Sequence, residues 1–192
     1  MAIIHRTTMS PTKLELLAAW LPTRPWYEAT GGAPEPAKAG GFRLDDPEGE
    51  VGIEFMVVTD ASAAEPVAYL VPMTYRGAPL EGAAADALIG TSEHGVLGTR
   101  WIYDGVHDPV LADRLLALLR GEAQPQAQSE TDTPDPTVHR AGEPLPPEST
   151  FADLTVSRRL TSPYEETAAA HVTAPWRLAD GTEVRGVVVT AG

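Results

Sequence analysis

The chain has 192 residues, 43% of them apolar, which allows a real core in one domain of ordinary size or one domain plus an appendage. Its 27 acidic and 14 basic side chains give a formal charge of −13, which repels nucleic acid and anionic membranes and suits a basic partner or a neutral ligand. There is no cysteine, hence no disulfide and no thiolate metal site, and no apolar run approaches the ~20 residues of a membrane span, so a cytoplasmic protein without nucleic-acid or membrane partners is expected.

Residues 2–9 are β-prone and read as a first strand. Ser10-Pro11 reads as a helix start, a hydroxyl cap followed by proline at the first helical position. Leu14, Leu17, Ala18 and Leu21 recur at i, i+3, i+4 and i+7, and Pro22 and Pro25 end the helix just before Trp26 and Tyr27. Residues 28–41 are rich in Gly, Pro and Ala and read as a loop. Val51, Ile53, Phe55 and Val57 alternate as a half-buried strand, residues 59–66 turn, and Val67, Tyr69, Val71, Met73 and Tyr75 alternate again. Pro72 inside the second run predicts an edge or a bulge. A strand or two is expected within 87–103, interrupted around Thr91–Gly95, with Trp101 and Tyr103 on one face. Asp108-Pro109 opens a second helix striped by Leu111, Leu115, Leu116, Leu118 and Leu119 and closed by Arg120 and Gly121.

Residues 122–149 hold six prolines, scattered acids and Gln-Pro-Gln-Ala-Gln, and read as an extended or disordered linker. Runs 151–160, 168–178 and 182–190 are β-like, and Asp180-Gly181 marks a hairpin between the last two. The final Val187-Val188-Val189 looks exposed. The expected organisation is an α+β domain over residues 1–121, a Pro/acid-rich linker over 122–149, and strands over 150–192 that complete the sheet or form a small appendage.

The run Trp20-Leu21-Pro22-Thr23-Arg24-Pro25-Trp26-Tyr27 resembles the end of the first helix in maltokinase N-terminal caps. The strand around Tyr69-Leu70-Val71-Pro72-Met73, and Tyr103-Asp104 with Asp108 and Leu115-Leu116, are similar to later segments of the same cap. The resemblance covers roughly residues 10–120. It implies a cystatin-like fold, a curved antiparallel sheet packed on a helix. In full-length kinases this cap precedes an aminoglycoside-phosphotransferase-like kinase and adds to its nucleotide lobe. A role in α-glucan or trehalose (maltose-1-phosphate) metabolism is implied, with a kinase or glucan-metabolising enzyme as partner.

Kinases of that type need a strand lysine, a catalytic aspartate, and an asparagine and an aspartate for magnesium. The chain has two lysines, Lys13 in the predicted helix and Lys38 in the predicted loop, and no asparagine. The catalytic loop therefore cannot be written in it, and autonomous kinase activity is not expected. Glucan branching would need a far longer barrel with its own carboxylate pair.

Weak catalytic candidates remain. Glu93-His94 sits in a polar stretch and could do acid–base work, against the plainer reading of a surface loop. Asp104, His107 and Asp108 cluster before the second helix, where Asp108 serves more simply as its cap and Asp104 as a turn anchor with Gly105. The acidic run Asp45–Glu50 lacks the ligand spacing of a calcium loop and reads as a turn. The five histidines are scattered, and no nucleotide-binding glycine motif occurs, so neither metal nor cofactor is expected. Trp26, Tyr27, Trp101 and Tyr103 are candidates for a partner or ligand surface, and Trp20 for the core.

Three functions follow. The first is a non-catalytic module docking on a partner enzyme through a sheet edge at Pro72 and the C-terminal strands. The second is a small enzyme or ligand-binding protein on the concave face of the sheet, requiring Glu93, His94, His107 and Asp108 to converge within about 10 Å. The third is a structural homo-oligomer through strand edges.

Overall fold

The computed structural model describes residues 8–29, 31–62, 66–165, 167 and 169–192. Strand β1 (Met9–Ser10) is the first element, and most of the strand read at 2–9 lies outside the described residues. Helix α1 (Lys13–Trp20) is capped by Thr12 rather than Ser10. The Thr12 hydroxyl accepts the Glu15 N–H, and the Glu15 carboxylate accepts the Thr12 N–H at 2.7 Å, a reciprocal box that uses two otherwise orphaned donors. Leu17, Trp20 and Leu21 are buried beneath it.

Strand β2 (Pro36–Leu44) replaces much of the loop read at 28–41. Its glycines are there because neighbours come too close for a side chain. A Cβ on Gly40 would lie 2.8 Å from the Pro175 carbonyl oxygen, and one on Gly41, at φ +133°, would strike the Phe55 carbonyl. Strands β3 (Gly52–Asp60) and β4 (Val67–Arg76) form the long hairpin read from the alternation. Strands β5 (Leu88–His94) and β6 (Gly98–Asp104) form another, and Thr91–His94 belongs to β5 rather than interrupting it. Helix α2 (Pro109–Arg120) starts and ends as its sequence says, with Asp108 capping the Val110 N–H and Gly121 at φ +82°. Then come β7 (His139–Ala141), β8 (Leu154–Val156), β9 (Arg159–Leu160), β10 (His171–Arg177) and β11 (Glu183–Ala191), the last two joined by the Asp180-Gly181 turn.

Every strand pairing is antiparallel. The order is β1-β5-β6-β4-β3-β2-β10-β11-β8, with β7 on β10 and β9 on β4. Residues 154–160 carry both β8, paired with β11, and β9, paired with β4. The circuit β4-β3-β2-β10-β11 therefore closes through this short segment. Closure overturns the expected edge. Val188 and Val189 are 1% and 2% exposed, and β11 has a partner on each side. Pro72 lies inside β4, between Ala68-Tyr69, which pair with β9, and Met73–Arg76, which pair with β6. Leu70 donates to the Arg158 carbonyl, and N–H directions alternate along a strand, so the N–H that proline lacks falls at the change of partner.

Strand β3 is buried on both faces, not half-buried. Ile53, Phe55 and Val57 join α2, β10 and β11 in one core, while Met56 and Val58 join α1, Tyr69, Val71 and Met73 in the other. Five buried leucines of α2, at roughly 1.5–3 kcal/mol each, outweigh the ~1 kcal/mol of its cap, so packing rather than propensity holds this helix. Residues 122–149 contribute Val138 and Leu145 to the same core. Within them, Gln126 pairs with both Arg43 and Pro134, which makes residues 125–135 a small arm laid along β2. A mostly antiparallel sheet with two short helices is an α+β arrangement.

Candidate functional site

Glu54 points to the α1 side of β3, the side shared by Met56 and Val58. An unpaired carboxylate there would cost several kcal/mol. Four hydrogen bonds meet it instead. Lys13 Nζ donates to Oε1 at 3.0 Å and Oε2 at 2.8 Å, Gln128 Nε2 donates to Oε1 at 2.7 Å, and the Tyr75 hydroxyl donates to Oε2. Burial pushes the Glu54 pKa up, but Lys13, Tyr75 and Lys38 outweigh it and hold the carboxyl below its usual range. Burial, reinforced by the Glu54 charge, lifts the Tyr75 phenol well above its ordinary value. The cluster is locked with Glu54 ionised and Tyr75 neutral, and neither titrates near neutral pH. Sequence reasoning missed it because Lys13, Glu54 and Gln128 come from three distant segments.

Trp26 and Tyr27 continue this face. Trp26 packs edge-on to Trp20 at 5.7 Å between ring centres and tilts against Tyr69 at 5.8 Å. The Tyr27 hydroxyl donates to Asp60 Oδ2 at 2.6 Å, and burial with that carboxylate pushes its pKa up to about 12. Both rings are half-buried. Arg158 stacks over Trp26 at 5.1 Å and donates to both Asp104 oxygens, at 2.8 and 2.6 Å. One guanidinium thus ties the closing segment to β6 and to the aromatic cluster. Asp104 is held by Arg158 and not by a turn at Gly105.

The four catalytic candidates fall in two places. His94 pairs with Gly98 at one end of β6, while His107 and Asp108 follow its other end. Six residues at ~3.3 Å put roughly 20 Å between them. Glu93 accepts the Thr99 hydroxyl at 2.6 Å, and His94 Nδ1 accepts the Val96 and Leu97 N–H groups, fastening its hairpin turn. His107 is exposed. Asp108 is 1% exposed and takes two hydrogen bonds from Arg76 besides capping α2. Tyr103 is buried and accepts the Leu80 N–H at 3.0 Å, while Trp101 is half-buried opposite Arg76. In the acidic run, Asp46 accepts N–H groups from Glu48, Glu50 and Val51 and builds the expected turn.

An open cleft of about 450 Å³ runs beside the closing segment, from Ser157 to Glu165, and none of the four candidates lines it. Among the described residues, no three His, Asp or Glu side chains gather as a metal-binding group. No helix among them is long and apolar enough to cross a membrane.

The geometry defines a class: an antiparallel α+β module whose buried charges are engaged by internal partners. Residues 20–108 match the family of the maltokinase N-terminal cap domain. The match runs from the end of α1 through β2–β6 to the cap of α2, a narrower span than the 10–120 read from motifs. Comparison with curated proteins gives no match.

Proposed function

We propose that this chain is a non-catalytic, cap-like module of α-glucan or trehalose (maltose-1-phosphate) metabolism that docks on a partner enzyme, a kinase lacking its own cap. The family match over residues 20–108 carries the reading. The finer fold implied by that family, a curved cystatin-like sheet around a helix, goes with it, and α1 packed on one face of the sheet supports it. Engagement of Glu54, Asp104 and Asp108 in internal pairs supports a non-catalytic role.

The docking edge moves from Pro72 to β5. On its outer side β5 carries only the two-residue β1, at Glu93 and His94, so Leu88–Thr91 have no strand partner there among the described residues. Leu88 at one end, and Val96 and Leu97 at the other, are 37%, 61% and 45% exposed. A free edge flanked by apolar side chains suits strand addition by a partner. The test is gel filtration of the chain mixed with a maltokinase whose cap has been deleted. Co-elution, lost on Val96→Asp with Leu97→Asp, is the expected result. Separate elution at low salt contradicts the reading, and self-association of the chain alone would favour a homo-oligomer instead.

A further inference from the structure

Among the described residues, β10 meets the outer side of β2 at the Trp176–Gly40 pair alone, so no strand covers β2 beyond Gly40. The 125–135 arm takes that place. Gln126 and Arg43 exchange backbone hydrogen bonds, each 2.9 Å long, as residues of paired strands do. Arg43 is in register with Glu54, so both side chains stand on one face, and the arm meets both. Arg43, 6% exposed, donates through Nε to the Ala127 carbonyl at 3.0 Å and through Nη2 to the Glu130 carbonyl at 3.1 Å. Gln128 Nε2 donates to Glu54 Oε1 at 2.7 Å. Gly41 makes room for that amide, since a Cβ there would lie 2.8 Å from Gln128 Nε2. A strand edge, a buried guanidinium, a buried carboxylate and a bare stretch of backbone thus receive one extended segment.

The occupant fits less closely than the groove is built. No residue of 124–135 belongs to either apolar core. Gln126 is 7% exposed, yet its Oε1 has no hydrogen-bond partner among the described residues, and its Nε2 reaches the Gln124 carbonyl only at 3.4 Å. A buried acceptor left unmatched offsets part of what the other bonds contribute. The arm also closes on itself. The Ala127 N–H donates to the Thr133 carbonyl at 2.7 Å and the Asp135 N–H to the Pro125 carbonyl at 2.9 Å, so it can lift as a unit and keep its own bonds.

We infer that this face of β2 is a recognition groove for an extended polar peptide of another protein, with the arm as a tethered occupant that closes it in the free chain. Strand pairing at Arg43 supplies affinity and two side chains supply selectivity. The Arg43 guanidinium takes two backbone carbonyls three residues apart. Glu54 takes a side-chain amide two residues after the paired position. Lys13 already neutralises Glu54, so a neutral donor suffices, and an acid at that position is rejected by like charge. The groove is separate from the β5 edge, and its test does not depend on docking there.

The test opens the arm in the full chain. Gln128→Glu sets a second carboxylate against Glu54 and lifts the arm while Arg43, Glu54 and Lys13 stay in place. Gln126→Pro, which removes the N–H given to Arg43, is a second route if circular dichroism shows the first chain unfolded. The probe is a fluorescein-labelled synthetic peptide of residues 124–135, followed by anisotropy. An opened chain should bind it about tenfold more tightly than the unaltered chain, whose own arm competes from within. The peptide carrying Gln128→Glu should stay unbound. Hydrogen exchange at the Ala127 and Asp135 amides should speed up in the opened chain and stay unchanged in β3. No peptide binding to a folded, opened chain, or equal binding of the two peptides, would overturn the inference.

Discussion

Arg76 grips Asp108 through two parallel hydrogen bonds, Nε to Oδ2 and Nη2 to Oδ1, each 2.7 Å long. The same Oδ1 accepts the Val110 N–H at 3.0 Å and so opens α2. A residue that looked like a weak catalytic candidate thus joins β4 to a helix. Removing it strands Arg76 and uncaps α2. Asp108→Ala should cost about 3–5 kcal/mol in urea unfolding, whereas the exposed neighbour change His107→Ala should stay within about 0.5 kcal/mol.

Acid should unfold the protein through three carboxylates. Asp108, Glu54 and Asp60 each lose water on burial, which raises the pKa, and each is then pulled below its ordinary value by partners: Arg76, Lys13 and Tyr27 respectively. A lowered folded pKa means that the unfolded chain binds more protons. Their stabilisation is therefore full above the unfolded values near ~4 and is lost as pH falls through the lower folded values. Urea midpoints measured from neutral pH downward should drop below about pH 4, and Asp108→Asn should flatten that slope.

Two glycines with positive φ separate backbone strain from collision. Gly49, at φ +75°, has open space where a Cβ would go, and Gly49→Ala should cost about 1 kcal/mol. Gly41, at φ +133°, faces the Phe55 carbonyl and Gln128 Nε2, and Gly41→Ala should cost clearly more than that. Thermal melting of both variants checks the order.

The arm at 125–135 hangs on Arg43. Arg43 exchanges backbone hydrogen bonds with Gln126 at 2.9 Å, and its guanidinium donates to the Ala127 and Glu130 carbonyls. Arg43→Ala should free the arm, and limited proteolysis should then cut within it while the rest of the chain stays intact.

What could be read from the sequence was local. The α2 cap, its leucine stripe and its closing Gly121 lie within a few residues of one another, and so do the β3–β4 and β10–β11 hairpins. Strand β2 was hidden because Gly40 and Gly41 answer to Pro175 and Phe55, far away in the chain. Gln124, Gln126 and Gln128 alternate with period two, a strand signal masked by the intervening proline and alanine. The Glu54 cluster had no sequence signature, since Lys13 and Gln128 reach it across 41 and 74 positions. Pro72 pointed to a break in pairing, and the break is internal because β9 and β6 divide β4 between them.

Docking is tested most directly by calorimetric titration of the chain into two forms of a maltokinase, one with its own cap and one without. The account predicts saturable heat for the capless form, weakened by salt because the chain carries −13, and none for the capped form. No heat with the capless enzyme at low salt, or equal heat with both, would contradict it.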